Sequence, residues 1–466
     1  MKALYKVTRT LALLIIIATP TSWARSVAQT DSYNKNAIQI NTKVSQSKLV
    51  QHGADTVFVD VILIPPEINH RHPQQGASDI IIVLDRSGSM SEAKKMTYAK
   101  AAIWDILGRL HENDRFALVS FANKALVQSP LVHITEGTRG YLNNLVSSIQ
   151  SAGGTNMGEG LNAAIGLLEN NQSGRARKIL LLSDGQANQG IIHPDQLAQI
   201  AARASHYGAV LSTIGMGLGF NESLMAKLAD YGMGNYSYLE DLSGLTAILA
   251  RDLQDTRNIY ANSSLMEIKL GQGVTLIDAG GYPIAHTGKS TIKVTTGQIL
   301  ANVQKHFVMT FKVPTADIGT VSLAKINLNY QVRGQQRQAS VSREALALAI
   351  LAPEFRRQAE QSIDKQVYQE SWLENNLGRM KKQLSVWIRE GKKDKAKQAI
   401  NEYRQERDAA ATTSHIILAT PEVEDKLEEM EKQLDDAFTG SYLDQQVKRN
   451  RAAKSIQYEA IENQRK

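Results

Sequence analysis

Residues 79–255 alternate between short apolar runs and stretches of helical periodicity, and this alternation constrains the fold more than any other feature of the chain. Residues 79–85 (DIIIVLD) form a continuous apolar run between carboxylates, as is typical of a strand covered on both faces. Residues 92–111 carry apolar side chains three and four positions apart, which predicts an amphipathic helix. The same patterns predict strands at 114–121, 178–183 and 209–215, and helices at 139–150, 157–170, 195–206, 221–230 and 242–253. Strands separated by helices predict an α/β domain with a doubly wound, mostly parallel sheet.

The segments on either side of this domain have the period of two that strands require. Residues 37–75 supply N-terminal strands, and residues 258–342 contain candidate strands separated by glycine turns. Because the two sets are alike in length and pattern, we expect 37–64 and 258–342 to pack together as one antiparallel β module. The α/β domain would then be inserted between its two halves.

From residue 343 to 466 the composition shifts to Ala, Gln, Glu, Lys and Arg, and a helical, coiled-coil-like region is predicted. Its apolar stripes have spacings of three and four and comprise Leu373, Leu377, Met380 and Leu384, then Val423, Leu427, Met430, Leu434 and Phe438. These helices are candidates for forming a homo-oligomer. The basic residues near the end, Lys454 and Arg465 among them, are interpreted as a solvated helix face.

The first 24 residues have the layout of a secretory signal peptide. Basic residues precede an apolar run, and Ser22-Trp23-Ala24 offers a small-x-small cleavage site. Removing this segment with its three basic residues lowers the formal net charge from +7 to +4, which is too mild to favour nucleic-acid binding. Residues 25–36 read as a flexible lead. We therefore expect an exported protein of the periplasm, the cell surface or the medium, without a membrane span in the mature chain.

The chain contains no cysteine, so any bound metal must use oxygen or imidazole ligands. Oxygen ligands are concentrated where the predicted strands end. Asp85, Ser87 and Ser89 follow the first strand of the α/β domain, Thr155 lies in a glycine-rich loop before a helix, and Asp184 ends a later strand. Open α/β sheets bind their ligands at this edge, and carboxylates with hydroxyls suit Mg²⁺, with Ca²⁺ and Mn²⁺ as alternatives.

These five positions fill the D-x-S-x-S, Thr and Asp pattern of the metal-ion-dependent adhesion site. Over roughly residues 79–255 the chain resembles the von Willebrand factor type A (VWA) family. The segments 213–222 and 228–232 resemble the bacterial subgroup related to inter-alpha-trypsin inhibitor heavy chains. The resemblance implies that Ser87, Ser89 and Thr155 contact the metal directly. It also implies that Asp85 and Asp184 act directly or through water.

Charge counting then indicates a kind of partner. Two carboxylates only neutralise a divalent ion, and hydroxyls donate weakly, so the ion keeps affinity for an anionic ligand from outside. We therefore predict a protein that is not an enzyme and that binds a macromolecular partner through an Asp or Glu of that partner. Two alternatives stay open at this point. One is an envelope scaffold acting through its C-terminal helices, and the other, less favoured, is a metal-assisted hydrolase using Glu159 or a histidine near the ion.

Simpler interpretations exist for several of these residues. Asp85, Ser87 and Ser89 could merely cap a helix, and Glu159 could be a first-turn glutamate favoured by the helix dipole. Gly215, Gly217 and Gly219 miss the spacing of a dinucleotide-binding loop and read as loop glycines. His70 and His72 sit in a predicted linker, where solvated histidines are the expectation.

Overall fold

The computed structural model describes residues 37–67, 77–169, 175–332 and 334–465. The predicted signal peptide at 1–24, the lead at 25–36, and His70 and His72 lie outside the described residues. Three strands open the described chain: β1 (Gln39–Val44), β2 (Lys48–Val50) and β3 (Thr56–Ile64).

The α/β domain follows and contains a six-stranded sheet with the order β6-β5-β4-β7-β8-β9. Its strands are β4 (Ser78–Asp85), β5 (Arg115–Phe121), β6 (Ala125–His133), β7 (Ala176–Ser183), β8 (Ala209–Met216) and β9 (Met233–Leu239). Its helices are α1 (Lys95–Arg109), α2 (Glu136–Ser148), α3 (Met157–Glu169), α4 (Pro194–Ala202), α5 (Glu222–Tyr231) and α6 (Leu245–Arg257). All neighbouring pairs are parallel except β5 and β6, so the predicted doubly wound α/β fold is confirmed.

The central strand β4 explains why this sheet forms where it does. All eight of its residues are buried, because helices cover both faces. Ile81 and Val83 face the core under α3, α4 and α5, while Ile80, Ile82 and Leu84 face the core under α1, α2 and α6. Burying both sides of a strand yields the continuous apolar run seen in the sequence. Asp85, at the carboxyl end of β4, is therefore held in place by a strand that is packed on both faces.

The β module is built from strands on both sides of the α/β domain. Strands β1, β2 and β3 come from before that domain. The strands after it are β10 (Ile259–Leu270), β11 (Thr275–Ala279), β12 (Ile284–His286), β13 (Thr291–Leu300), β14 (Lys305–Lys312), β15 (Gly319–Ser322), β16 (Ala324–Val332), β17 (Gln335–Val341) and β18 (Ala347–Leu351). One sheet has the order β1-β3-β14-β11 and another the order β12-β13-β10-β16-β17. Antiparallel pairing of β3 with β14 joins residues from before and after the α/β domain directly.

Residues 343–466 were predicted to be a helical, coiled-coil-like region. The C-terminal helices are confirmed, but the start of the segment contains a strand. Residues 347–351 form β18, which pairs with β15 and β2 in a three-stranded sheet. Leu346, Leu348 and Ile350 are buried at alternate positions, a period of two that the Ala-rich composition obscured.

Five helices complete the chain, and the last four form a bundle. They are α7 (Arg356–Glu360), α8 (Lys365–Arg389), α9 (Lys393–Ser414), α10 (Pro421–Ala437) and α11 (Tyr442–Gln464). Leu377, Leu384, Leu427 and Leu434, all from the predicted stripes, lie in the bundle core. Within the described ranges, no helix is both long enough and apolar enough to cross a bilayer.

His306 gives the β module a small pH dependence. Its Nδ1 lies 3.1 Å from an Asp60 carboxylate oxygen on the neighbouring strand, and this hydrogen bond raises the pKa of the imidazole above its usual 6.5. A raised pKa stabilises the fold below pH 6.5, and the contribution disappears as pH rises through the folded-state value. Because the ring is 38% exposed, we expect at most about 1 kcal/mol. Urea unfolding at pH 6 and pH 8 should show that His306→Gln loses this difference, and an identical pH response in both proteins would contradict it.

Candidate metal centre

Three loops meet at the carboxyl edge of the α/β sheet. Residues 86–89 follow β4, residues 151–156 precede α3, and residues 184–185 follow β7. Backbone hydrogen bonds join the first two loops: the Gly88 N–H donates to the Gly153 carbonyl at 3.0 Å, and the Ala152 N–H donates to the Arg86 carbonyl at 2.7 Å. Their relative position is therefore fixed by the main chain.

The five predicted site residues lie together in this region. The Ser87 and Ser89 hydroxyl oxygens are 3.2 Å apart, and the Ser89 hydroxyl donates to Asp184 Oδ1 at 2.9 Å. Thr155 and Asp85 flank Gly185: a methyl group placed on that glycine would lie 3.2 Å from Thr155 Oγ1 and 3.5 Å from Asp85 Oδ2. The structure thus brings oxygen side chains from all three loops around one locus.

The locus opens to solvent on one side. Asp85, Ser87, Thr155 and Asp184 are buried, with at most 3% of each residue exposed. Ser89 is only partly covered, and Gly88 beside it is exposed. A ligand from outside can therefore reach the site past Gly88 and Ser89, while the carboxylates stay shielded from bulk water.

Asp85 carries an electrostatic cost in this environment. Burial, with a smaller contribution from the Asp184 charge, raises the pKa of its carboxyl to about 6 against hydrogen bonds from the Ser183 hydroxyl and from Ser87. The Ser183 hydroxyl donates to Oδ2 at 2.6 Å, and the Ser87 N–H donates to Oδ1 at 2.8 Å. Since desolvation disfavours the ionised form, a cation placed against Asp85 would lower the energy of the site.

Lys95 was not among the residues predicted for the site. Its Nζ donates to Asp184 Oδ2 at 2.5 Å and to the Ser89 carbonyl at 3.2 Å. The residue is 7% exposed, so this ammonium group is part of the centre's interior. The sequence predicted one continuous helix over 92–111, whereas the chain kinks at Glu92 and Ala93 before α1 begins at Lys95. The position of Lys95 was therefore not predicted.

Amide side chains hold the threonine loop in place. The Thr155 N–H donates to Asn188 Oδ1 at 2.8 Å, and the Asn188 N–H donates to the Thr155 carbonyl at 3.1 Å. On the other side, the Gly154 N–H donates to Asn123 Oδ1 at 2.5 Å. Neither asparagine was predicted from the sequence. Their one signal is their position in loops at the same edge of the sheet.

Glu159, the candidate base of the hydrolase alternative, is engaged at the start of α3. Its carboxylate accepts from Asn156 Nδ2 at 2.9 Å, and its N–H donates to Asn156 Oδ1 at 3.3 Å. The Asn156 side chain thereby satisfies one of the N–H donors at the start of α3. The geometry is that of a first-turn glutamate that stabilises a helix.

The donor set fits a hard divalent cation. Two carboxylates and three hydroxyls are oxygen ligands of the kind that Mg²⁺ and Ca²⁺ take. In the described part of the chain, no group of three or more His, Cys, Asp or Glu side chains could hold a metal ion. A metal at this edge of the sheet would therefore depend on the hydroxyl groups as well as on Asp85 and Asp184.

Comparisons with known proteins bear on the α/β domain that carries these loops. The family model of the von Willebrand factor type A domain matches residues 79–251. YfbK, an uncharacterized protein of Escherichia coli K12, is 30% identical over 184 residues, which are 38% of this chain and 31% of that protein. Inter-alpha-trypsin inhibitor heavy chain 4 of Mus musculus is 27% identical over 304 residues, 58% of this chain and 32% of that one. The chain thus spans about a third of the length of these two relatives.

Solved structures extend the likeness in fold beyond the α/β domain. A von Willebrand factor type A protein from Catenulispora acidiphila superposes with a TM-score of 0.68 at 16% identity, covering 92% of this chain and 98% of that one. The ArnB paralog VWA2 from Sulfolobus acidocaldarius gives a TM-score of 0.53 at 16% identity, covering 90% and 98%. The combination of α/β domain, β module and helices therefore occurs in other proteins.

Proposed function

Residues 79–251 form a von Willebrand factor type A domain, and from this premise we propose that the protein binds a protein partner through a divalent cation. The proposal assigns the metal to Asp85, Ser87, Ser89, Thr155 and Asp184, with Mg²⁺ as the favoured ion. The bound cation would supply a Lewis-acidic position that accepts a carboxylate from the partner. Domains of this family generally mediate protein–protein interaction, and relatives such as the inter-alpha-trypsin inhibitor heavy chains are mostly not enzymes.

The observation that carries the proposal is the one-sided burial of the oxygen cluster. Asp85 and Asp184 are 0% and 1% exposed, whereas Ser89 and Gly88 face solvent. The carboxylates are therefore positioned to hold a cation, and the open side leaves room for a ligand group from another molecule. The proposal also places the protein outside the cytoplasm, on the basis of the signal-like first 24 residues.

Thr155→Ala tests the proposal with a minimal change, because it removes one hydroxyl while the backbone bonds to Asn188 remain. Immobilised wild-type protein should retain a protein from envelope extract in Mg²⁺ and release it into EDTA. Thr155→Ala should retain at least tenfold less, since a metal ligand is lost. Thr97→Ala, an exposed threonine on α1, is the matched control and should behave as wild type.

Isothermal titration with Mg²⁺ alone should accompany the capture assay and show weaker binding for Thr155→Ala. Equal capture of the same protein in EDTA and by Thr155→Ala would contradict the proposal. That result would point to an interaction surface elsewhere in the chain, the C-terminal helices included.

A further inference from the structure

An unusual backbone conformation places Lys95 in the metal centre. Ala93 and Lys94 both have positive φ, +46° and +57°, a region that residues with a Cβ rarely adopt. The turn made by these two residues ends the 3₁₀ segment Gly88–Lys94, and α1 begins directly after it. It brings the first residue of α1, Lys95, back onto the loop that carries the serines.

The Lys95 ammonium is buried beside an acidic side chain. Its side chain is 8% exposed, and the Asp184 side chain it contacts is 0% exposed. A methyl group placed on Gly217 would lie 3.2 Å from Lys95 Cε, so the loop after β8 covers the aliphatic stem. Glu92, at 3.8 Å, is the second acidic contact, but it is 74% exposed and water screens it strongly.

The net negative charge of the centre is too small to neutralise a divalent ion. Asp85 and Asp184 contribute two negative charges, and Lys95 cancels one of them. Interactions between charges a few ångströms apart are large when the groups are shielded from water. A divalent ion would therefore meet a net charge of −1, and the loaded site would carry about +1, which a carboxylate from outside would neutralise.

We propose that Lys95 is the residue that sets the site's preference for an anionic partner. By holding Asp184, it weakens the binding of the cation alone, and it leaves the loaded site positive, so that metal and partner carboxylate bind cooperatively. This inference rests on the proposed function and identifies an acidic group as the feature of the partner that the metal-loaded site recognises. Lys95 acts on the ligand through Asp184 and through its charge, and is in this sense a specificity-determining residue.

Lys95→Met removes the charge and keeps the apolar stem beside Gly217. Titration calorimetry with Mg²⁺, without any partner, should show at least tenfold tighter binding than wild type. Lys94→Met removes the same charge from the exposed neighbouring position and should stay within twofold of wild type. In the capture assay at saturating Mg²⁺, Lys95→Met should retain at least threefold less partner, although its metal site is full.

A second variant covers the case in which Lys95→Met does not fold. Lys95→Gln keeps a hydrogen-bond donor for Asp184 and should show the same tightening of Mg²⁺ binding, with the circular dichroism of wild type. Mg²⁺ affinity equal to or weaker than wild type in a folded variant would overturn the role of Lys95 while leaving the metal-dependent binding intact. Absence of Mg²⁺ binding in both wild type and variants would instead remove the proposed function, and the inference with it.

Discussion

In a metal-free buffer at pH 7, Asp85→Asn should be more stable than wild type, and in excess Mg²⁺ it should show none of the stabilisation that wild type gains. The first effect follows from burial, which raises the pKa of Asp85 from 3.8 to about 6. Each unit of pKa corresponds to about 1.4 kcal/mol, so the ionised carboxylate costs the metal-free fold on the order of 3 kcal/mol at neutral pH. Asparagine removes that cost.

The substitution preserves the local hydrogen bonds. The amide oxygen can accept from the Ser87 N–H as Asp85 Oδ1 does at 2.8 Å. In wild type the Ser183 hydroxyl donates to Asp85 Oδ2 at 2.6 Å. In the variant the amide nitrogen can donate to that hydroxyl instead. The loss of charge is therefore the principal change, and with it a metal ligand disappears.

The same pKa shift fixes how the effect depends on pH. Since the folded-state pKa is raised, the contribution of Asp85 to stability is fully present below pH 3.8 and is lost as the pH rises through about 6. The advantage of Asp85→Asn over wild type in EDTA should accordingly be largest at pH 7 and vanish toward pH 4.

Thermal unfolding of the full chain in EDTA and in Mg²⁺ provides the measurement. At a hundredfold excess over its dissociation constant, a bound ion stabilises the native state by about 2.7 kcal/mol, and this increment should be absent in Asp85→Asn. Asp105→Asn, in a surface pair with Arg109, is the matched control and should keep it. An undiminished Mg²⁺ increment in Asp85→Asn would show that the ion binds elsewhere.

The α/β sheet could be predicted from the sequence because its central strands are covered on both faces. The runs at β4, β7 and β8 are apolar almost without interruption, and all or nearly all of their residues are buried. The strands β6 and β9 were missed, and they are the two edges of the sheet. β6 contains Pro130 and exposes about half its residues. Edge strands tolerate proline and polar residues, so their sequences carry little of the strand pattern.

The candidate site was predictable to the extent that its residues follow strands. Asp85 and Asp184 stand where β4 and β7 end, and parallel strands bring such ends together. Lys95 could not be placed in this way, because its position depends on positive φ at Ala93 and Lys94. Glycine is the residue that usually indicates positive φ in a sequence, and neither of these two residues is a glycine.

The basic face near the end of the chain was also misread. Lys454 and Arg465 were interpreted as solvated, but Lys454 is 4% exposed and Arg465 forms an ion pair with Asp230 of the α/β domain. Lysine and arginine are rarely buried without partners, and the acidic partners on α5 lie more than 200 positions earlier in the chain. Only the tertiary structure brings them together.

Lys454→Met should destabilise the protein by about 3 kcal/mol, because it leaves a buried carboxylate short of a partner. Lys454 Nζ lies 3.2 Å from Glu222 Oε1, with both side chains at most 5% exposed. The ammonium also donates to the Phe220 carbonyl at 2.7 Å and lies 3.9 Å from the centre of the Phe220 ring. Glu222 would retain Arg389, at 2.8 Å, as its one remaining cation among these contacts.

A double-mutant cycle separates the ion pair from loss of packing. Lys454→Met with Glu222→Gln should be less destabilised than the sum of the single variants, since the buried charge left unpaired by either change is then gone. Lys448→Met on the same helix is the matched control; its pair with Asp436 is a surface one and should contribute less than about 1 kcal/mol. Additive effects of Lys454→Met and Glu222→Gln in urea unfolding would contradict the assignment.

The same contacts connect the helical bundle to the metal centre. The loop between β8 and α5 contacts both regions. A methyl group placed on Gly219 of this loop would lie 3.0 Å from the Asp184 carbonyl oxygen. The next residue, Phe220, accepts a hydrogen bond from Lys454 of α11. Releasing Lys454 frees one end of the loop that packs against the backbone of Asp184, one of the proposed metal ligands. Lys454→Met should therefore weaken Mg²⁺ binding about threefold as well, whereas Lys448→Met should not. Unchanged Mg²⁺ affinity in a folded Lys454→Met protein would show that the bundle stabilises the domain without bearing on its ligand site.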